Sequence, residues 1–424
     1  MSDQDAVVCY GCVGDQHLQV QIKAEGASVK CFYCKKKRKG ITIDRLSDLV
    51  ADVMYTFFEN TSVWERGDEL NFHVAEILGC DDTDEPLVGD VCGELVTCSH
   101  WDIRQGGEAR FEEYGLYMPR QLQPIEAERK WQGFRTGIMH QSRFFNQSGK
   151  EFLEWLFGSI DSFRNLRTSD LNADAVVRTI KAIDCVELFR ARECKSLDDA
   201  RLISNNPAEQ LAAPPKEKAR AGRMNPEGVP VFYGAFERKT CVAELRPAVG
   251  GSVISGQFKL TRDLRILDFK LLEDAYEHAP LSLFDPECRL KMERRRFLRT
   301  FHHKISSPVL PDHEQEYLTT QVIAEYLSTQ HSPPIDGVIF SSAQNSGGLN
   351  IVLFAHVVSC DVPGVMLIPS HDPSKPNRGI EYVPETLVRH KINAVEFKYT
   401  DEEFTGNDFD PFAKYPNHDE DWTW

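Results

Sequence analysis

The sequence has no apolar run that approaches the ~20 residues of a membrane-spanning helix, which argues against a helical membrane anchor. Its first residues, MSDQDAVV, carry no basic n-region. The expectation is a protein without a secretory leader that works in the cytoplasm. No GxGxxG follows a candidate strand, which argues against a recycled hydride carrier held on a Rossmann unit. No internal repeat is visible. Positive charge is also in short supply: 49 Lys and Arg face 65 Asp and Glu, for a net charge of −16. Phosphate binding is driven by Lys and Arg, so this balance argues against a chain that coats nucleic acid.

What is present is enough for a sizeable core. Hydrophobic residues make up 41% and charged residues 27% of 424 positions, as in ordinary globular proteins. Twelve Cys in a cytoplasmic setting point to reduced thiols or a metal instead of disulfides. Cys9-Tyr-Gly-Cys12 and Cys31-Phe-Tyr-Cys34 are two CxxC knuckles with eighteen residues between them. That spacing fits a small zinc ribbon over residues 1–44, with the four thiolates as ligands of a structural Zn²⁺ and no position open to substrate. The metal would stand in for the core that so short a stretch cannot supply. Cys80, Cys92, Cys98 and His100 fit no standard ligand spacing and read as ordinary core and surface residues. The run Lys35–Lys39, KKKRK, has two readings: a phosphate or nucleic-acid contact, or a solvated loop balancing the anionic tetrathiolate. The acidic remainder of the chain favours the second.

Residues 45–165 read as mainly helical. Leu46, Leu49, Val50, Val53, Met54, Phe57 and Phe58 form the buried stripe of an amphipathic helix, with Asp44 as a candidate cap. Lys150 to Phe163 forms a second helical stretch. Between them lies Arg135-Thr-Gly-Ile-Met-His140, whose Arg and His resemble the catalytic pair of HEPN ribonucleases. A third region, 183–398, mixes strands and helices. Val186 to Arg192 alternates like a strand that delivers Arg190 to its end. Residues 195–221 are polar and contain Pro207, Pro214 and Pro215, the marks of a long surface loop of the kind that often serves as a lid. Asn225 to Gly228 has turn chemistry. Val229 to Ala235 reads as a strand, and Glu237 to Arg246 as a helix stopped by Pro247. Asp285-Pro286 opens a helix rich in Arg and Lys, read as a solvated face or a docking surface. The tail, 399–424, holds eight acids and one Lys and reads as poorly ordered or laid over a basic surface.

The central stretch Gly222-Arg223-Met-Asn225-Pro-Glu-Gly-Val-Pro-Val-Phe-Tyr233, with Ala243-Glu244 and Asp336-Gly-Val-Ile-Phe-Ser341-Ser342, resembles the RES domain, a family named for its Arg, Glu and Ser. The resemblance runs from about Val186 to Val358 and includes a basic residue, Arg190, after the first strand. The family often has Pro before its Ser, where this chain has Ser341, so that role passes to Ser342 by position, with Ser341 behind it. The resemblance implies an ADP-ribosyltransferase-like mixed fold that destroys NAD⁺ as substrate. The catalytic residues would be Arg223, Tyr233, Glu244 and Ser342, and Arg190, Asn225 and Ser341 would bind substrate. It implies a toxin of the toxin–antitoxin kind or an antiviral defence effector. The partner would be an antitoxin or trigger protein, with self-association into a homo-oligomer left open. The region ahead of it resembles the HEPN-like helical domain fused before some RES domains.

The expected architecture is thus multi-domain α+β: zinc ribbon, helical HEPN-like domain, mixed RES domain and acidic tail. Two rival readings remain beside NAD⁺ destruction. One is an RNA-cleaving or RNA-binding HEPN-type protein with an inactive RES-like domain, and the other is a non-enzymatic scaffold.

Overall fold

The computed structural model describes residues 6–61, 67–104, 110–112, 115–165, 174–277, 281–306, 317–358 and 379–396. The acidic tail expected at 399–424 lies outside them. The chain opens with β1 (Val7–Cys9), α1 (Gln16–Glu25), β2 (Ala27–Lys30) and β3 (Lys37–Thr42), the strands forming an antiparallel sheet in the order β1-β3-β2. Asp15 caps α1 by accepting from the Leu18 amide at 2.8 Å. α2 (Ile43–Phe57) follows at once, and its buried stripe is the one expected. Its cap is Thr42, not Asp44: the Thr42 hydroxyl accepts from the Arg45 amide at 3.3 Å, because Asp44 already lies inside the first turn. β4 (Phe58–Thr61), β5 (Asp68–Glu69), α3 (Leu70–Leu78), α4 (Pro86–Arg104) and β6 (Leu116–Pro119) complete this part. Leu18, Ile22, Leu46, Val50, Val74, Leu78 and Val91 form its core. The front sheet is seated on it by Gly14, whose amide donates to the Leu78 carbonyl at 2.7 Å.

The helical stretch 45–165 is shared between two cores. α5 (Ile125–Thr136) and α6 (Gln147–Phe157) send Trp131, Phe134, Phe152 and Phe157 into a second cluster with Phe269, Phe297, Phe301 and Tyr326. Apolar periodicity marks which helix face is buried but not what it meets. After α6 come β7 (Phe163–Asn165) and β8 (Val177–Ile180).

Next come β9 (Leu188–Cys194), α7 (Leu197–Asn205), α8 (Pro207–Gln210), β10 (Phe232–Ala235), α9 (Arg238–Ala243), β11 (Ser252–Leu260), β12 (Leu264–Asp268), α10 (Phe269–Leu272) and β13 (Ala275–Glu277). α11 (Cys288–Ser306), α12 (Tyr317–Thr329), β14 (Gly337–Ser341), β15 (Leu349–Leu353), α13 (Ala355–Val358), β16 (Ile380–Tyr382) and β17 (Val388–Lys391) follow. Nine strands make one mixed sheet in the order β16-β11-β9-β10-β15-β14-β12-β8, with β17 also on β11. Only β12 and β14 run parallel among the described pairs. Several expectations shift here. The loop expected at 195–221 holds two short helices, packed down by Ile203 and Leu211, which are both 1% exposed. Arg190 sits inside β9, not at its end. β15 stops at Leu353 and the chain turns directly into α13.

The Arg-rich helix α11 is a brace. Arg294 donates to the Trp155 carbonyl at 3.1 Å and the Ser159 hydroxyl at 2.7 Å, and Arg296 to the Leu122 carbonyl at 3.0 Å. Arg299 reaches the Ala275 carbonyl at 3.1 Å, and Lys304 pairs with Glu128 at 2.9 Å. Guanidinium forks suit this work because they can satisfy several acceptors at once. The buried Glu293 carboxylate accepts from the Glu126 amide at 2.8 Å, fixing the start of α5 against α11.

A second anchor lies ahead of β14. Burial would raise the Asp336 carboxyl, but donors from His356, Arg262 and the Arg265 amide outweigh it and hold its pKa at about 2. A depressed carboxylate contributes stability above its unfolded pKa and loses it as pH falls through the folded value. Acid titration of stability from about pH 4 towards pH 2 is therefore expected to show a steep loss in the wild type and a flatter one in Asp336→Asn. At neutral pH the variant is expected to be weaker by about 2 kcal/mol in urea unfolding.

Candidate functional site

Two turns set up the site. In the first, the Gly222 amide donates to the Asn225 carbonyl at 2.9 Å, which puts Arg223 and Met224 at the corner. In the second, the Val229 amide reaches the Pro226 carbonyl at 3.3 Å, and Gly228 takes a φ of +82°. The expected turn at Asn225–Gly228 is thus displaced by one residue, since the third position is where a positive φ favours Gly. Asn225 staples both turns. Its amide nitrogen donates to the carbonyls of Arg220 (2.9 Å), Pro226 (3.1 Å) and Val229 (2.9 Å). Its oxygen accepts the Tyr233 hydroxyl at 2.8 Å. Both ends of an amide expected to bind substrate are therefore engaged within the chain.

Tyr233 lies in β10 and also accepts the Met224 amide at 2.9 Å. Burial, chiefly, pushes its pKa up to about 12. Register places Ala235 and Phe340 on either side of Asn350. Because side chains alternate along a strand, Tyr233, Asn350 and Phe340 share one face of the sheet. α9 ends over this face with Glu244 as its C-terminal cap. Together with Arg190, Ala191, Cys241 and Leu245 these residues enclose a cavity of about 280 Å³.

One oxygen of Glu244, Oε1, accepts from both the Ser342 hydroxyl and the Asn350 amide, the latter at 2.8 Å. No described residue is bonded to Oε2. The Ser342 hydroxyl also accepts the Asn345 amide at 3.1 Å, while Asn345 donates to Thr240 at 2.8 Å. The serine is so tied to the helix that carries the carboxylate. Ser341 is the last residue of β14 and has no contact of this kind with Glu244 among the described residues.

Arg190 also lines the cavity. Its guanidinium lies 5.3 Å from the Phe232 ring centre, and its enclosed Nη1 meets no acceptor. Burial lowers its pKa to about 10, so it remains a cation at neutral pH. A buried guanidinium nitrogen without an acceptor is costly, and an anion in the cavity would supply one. Arg223 is not in the cavity wall. It donates to the Ile305 carbonyl at the end of α11 and lies 5.6 Å from the Tyr317 ring centre. Burial lowers its pKa, while the nearby Tyr317, Tyr233 and Glu244 act in the opposite sense. Arg223 thus shares an electrostatic neighbourhood with the cavity, reached through the turn that Tyr233 anchors.

Asn350, Cys241 and Phe340 were not singled out from the sequence. Asn350 left a readable signal, a polar residue opening an otherwise apolar strand. The other two left none. Arg135 lies in the last turn of α5, His140 is exposed on the π-turn that follows it, and neither lines the cavity.

At the other end of the chain, Cys9, Cys12, Cys31 and Cys34 bring all four sulfurs within 4.8 Å of one another. Contacts of 3.8 Å (Cys9–Cys12), 3.6 Å (Cys9–Cys34) and 3.7 Å (Cys12–Cys31) are far longer than a disulfide. They match the edge, about 3.8 Å, of a tetrahedron with ~2.3 Å metal–sulfur bonds. The four thiols can therefore hold a metal ion.

Two outcomes follow. Tyr233→Phe leaves the Met224 amide and the Asn225 oxygen short of a partner and is expected to cost about 1–3 kcal/mol in urea unfolding. Cys31→Ser removes one corner of the tetrahedron and is expected to release bound metal and lower the melting temperature, read by metal analysis and calorimetry.

No curated protein and no solved structure matches the chain. Residues 189–368 match the family model of the RES domain, a span that begins in β9 and takes in Arg190, Arg223, Tyr233, Glu244, Ser342 and Asn350. Residues 189–368 of this chain form a RES domain.

Proposed function

We propose that this RES domain destroys NAD⁺ by breaking its nicotinamide–ribose bond, and that the protein acts as a toxin or antiviral effector restrained by an antitoxin or trigger protein. One observation carries the reading. A single cavity holds a carboxylate with one oxygen uncommitted and a buried guanidinium nitrogen without an acceptor. A dinucleotide brings both complements, a cationic ring on a ribose and an anionic pyrophosphate.

Cleavage of the C–N bond sends its electron pair out with neutral nicotinamide and leaves an oxocarbenium-like ribose, as in glycoside cleavage. Glu244 stabilises that positive charge, with Ser342 and Asn350 holding the carboxylate in place. Water or phosphate then adds to the ribose carbon, water giving up a proton as it bonds. Tyr233 offers a flat face to the nicotinamide ring, and its phenol stays protonated at neutral pH. Arg190 binds the pyrophosphate, for which the guanidinium fork is well shaped, and Arg223 adds positive charge from beyond the cavity wall. The cavity's volume suits the nicotinamide–ribose half, with the adenosine half extending outward. No metal enters this chemistry. In the front ribbon the metal is Zn²⁺, held structurally by four thiolates.

The test is product analysis with purified protein and NAD⁺, with and without phosphate. Free nicotinamide should appear, together with ADP-ribose or its 1″-phosphate. Glu244→Gln is expected to slow nicotinamide release by about 100- to 1000-fold in a protein that remains folded by circular dichroism. Wild-type protein that binds NAD⁺ but never releases nicotinamide, or a Glu244→Gln protein as fast as wild type, would overturn the proposal.

A further inference from the structure

The cations of α11 are spent on internal acceptors; on the front sheet, among the described residues, only Lys39 is, donating to the Lys23 carbonyl at 2.7 Å. Between Lys23 and Lys39 the chain carries seven cations and one acid, Glu25. Glu25 is already taken by Arg45, at 3.1 Å. No carboxylate among the described residues forms an ion pair with Lys30, Lys35, Lys36, Lys37 or Arg38. Register sets Lys30 directly opposite Lys37 across β2 and β3. Like charges facing each other on neighbouring strands destabilise a hairpin, so the needs of the fold do not account for this pair. A tetrathiolate zinc site would carry two net negative charges, and the hairpin would still keep an excess of about four positive ones.

What lies beside the lysines narrows the partner. Lys35, at the knuckle tip, stands 4.4 Å over the Phe32 ring. Phe32 is 48% exposed. It edges a cleft of about 700 Å³ between the front sheet and the start of α4, which is also lined by Tyr33, Asp81 and Glu85. An acidic peptide would find lysines on the hairpin but carboxylates in the cleft. A single-stranded nucleic acid suits both halves. Its phosphates match the lysines, and an unstacked base can lie on the aromatic ring. The base's exocyclic amino group can donate to Asp81 or Glu85. We propose that the β2–β3 hairpin and this cleft bind single-stranded nucleic acid, with the backbone on Lys30, Lys36 and Lys37 and one base against Phe32. This surface shares no residue with the RES cavity, so the inference stands apart from the proposed activity.

The test is fluorescence anisotropy of the full-length, metal-loaded protein with labelled strands of about 20 nucleotides, single-stranded RNA, single-stranded DNA and a duplex in parallel. Single strands are expected to bind, with log affinity falling against log salt at a slope of about −2 for three phosphates. Phe32→Ala is expected to weaken binding by about 5- to 100-fold without altering metal content. Lys37→Glu is the sharper variant. It creates an opposite-charge pair with Lys30 and should hold or raise thermal stability, yet weaken single-strand binding by about 10-fold or more. Four results would overturn the proposal: no binding at about 50 mM salt, binding unchanged in Lys37→Glu, a duplex bound as tightly as a single strand, or polyglutamate competing as well as unlabelled strand.

Discussion

The carboxylate oxygen Oε1 of Glu244 is the meeting point of the C-terminal half. It is bonded by Ser342, just past β14, and by Asn350 in β15, while Glu244 itself ends α9. Three elements distant in sequence are thereby fixed around one atom. A charged acceptor makes such bonds stronger than neutral ones would be. Because they all fall on Oε1, the other oxygen stays available to the cavity. A carboxylate that spent both oxygens on the fold would be a structural residue and nothing more. The same economy shows in Tyr233, whose hydroxyl is committed to the turn while its ring still lines the cavity.

Features set by local chemistry were legible in the sequence. The CxxC spacings bring four sulfurs together because each knuckle is a short turn. Gly222 to Tyr233 forms turn and strand because Gly228 tolerates the positive φ the turn needs and Asn225 bonds back to the turn backbone. The interval from Tyr233 to Glu244 carries the carboxylate back over the strand that precedes it. Legibility ended where partners had to be chosen. The stripe on α6 says that Phe152 and Phe157 are buried, but Phe301, whose ring meets Phe157, comes from far along the chain. Asn350 looked like one strand residue among others until the register with Ala235 and Phe340 aimed it at Glu244. Arg223 reads as a cavity residue from spacing alone, but the structure sets its guanidinium on the end of α11.

Charge counting gave the least secure readings. α11 and the 35–39 run are both dense in Lys and Arg, and a sequence gives no immediate way to tell them apart. The difference lies in what surrounds them. Along α11 the guanidinium groups meet backbone carbonyls at 3.0–3.1 Å and hold three segments against one helix. On the front hairpin the lysines face one another and solvent. Net charge averages over both and predicts neither.

α11 begins with Cys288 in the N-terminal core and ends with Ile305 in the central one. A rod of this length, roughly 28 Å at ~1.5 Å per residue, makes the two cores mechanically continuous. Excising the RES domain at a boundary drawn near residue 183 would strip Trp131 and Phe157 from their aromatic neighbours on α11. The remaining fragment would show a greasy flank to water and would tend to clump, so a shortened version suited to laboratory production has to start ahead of α5.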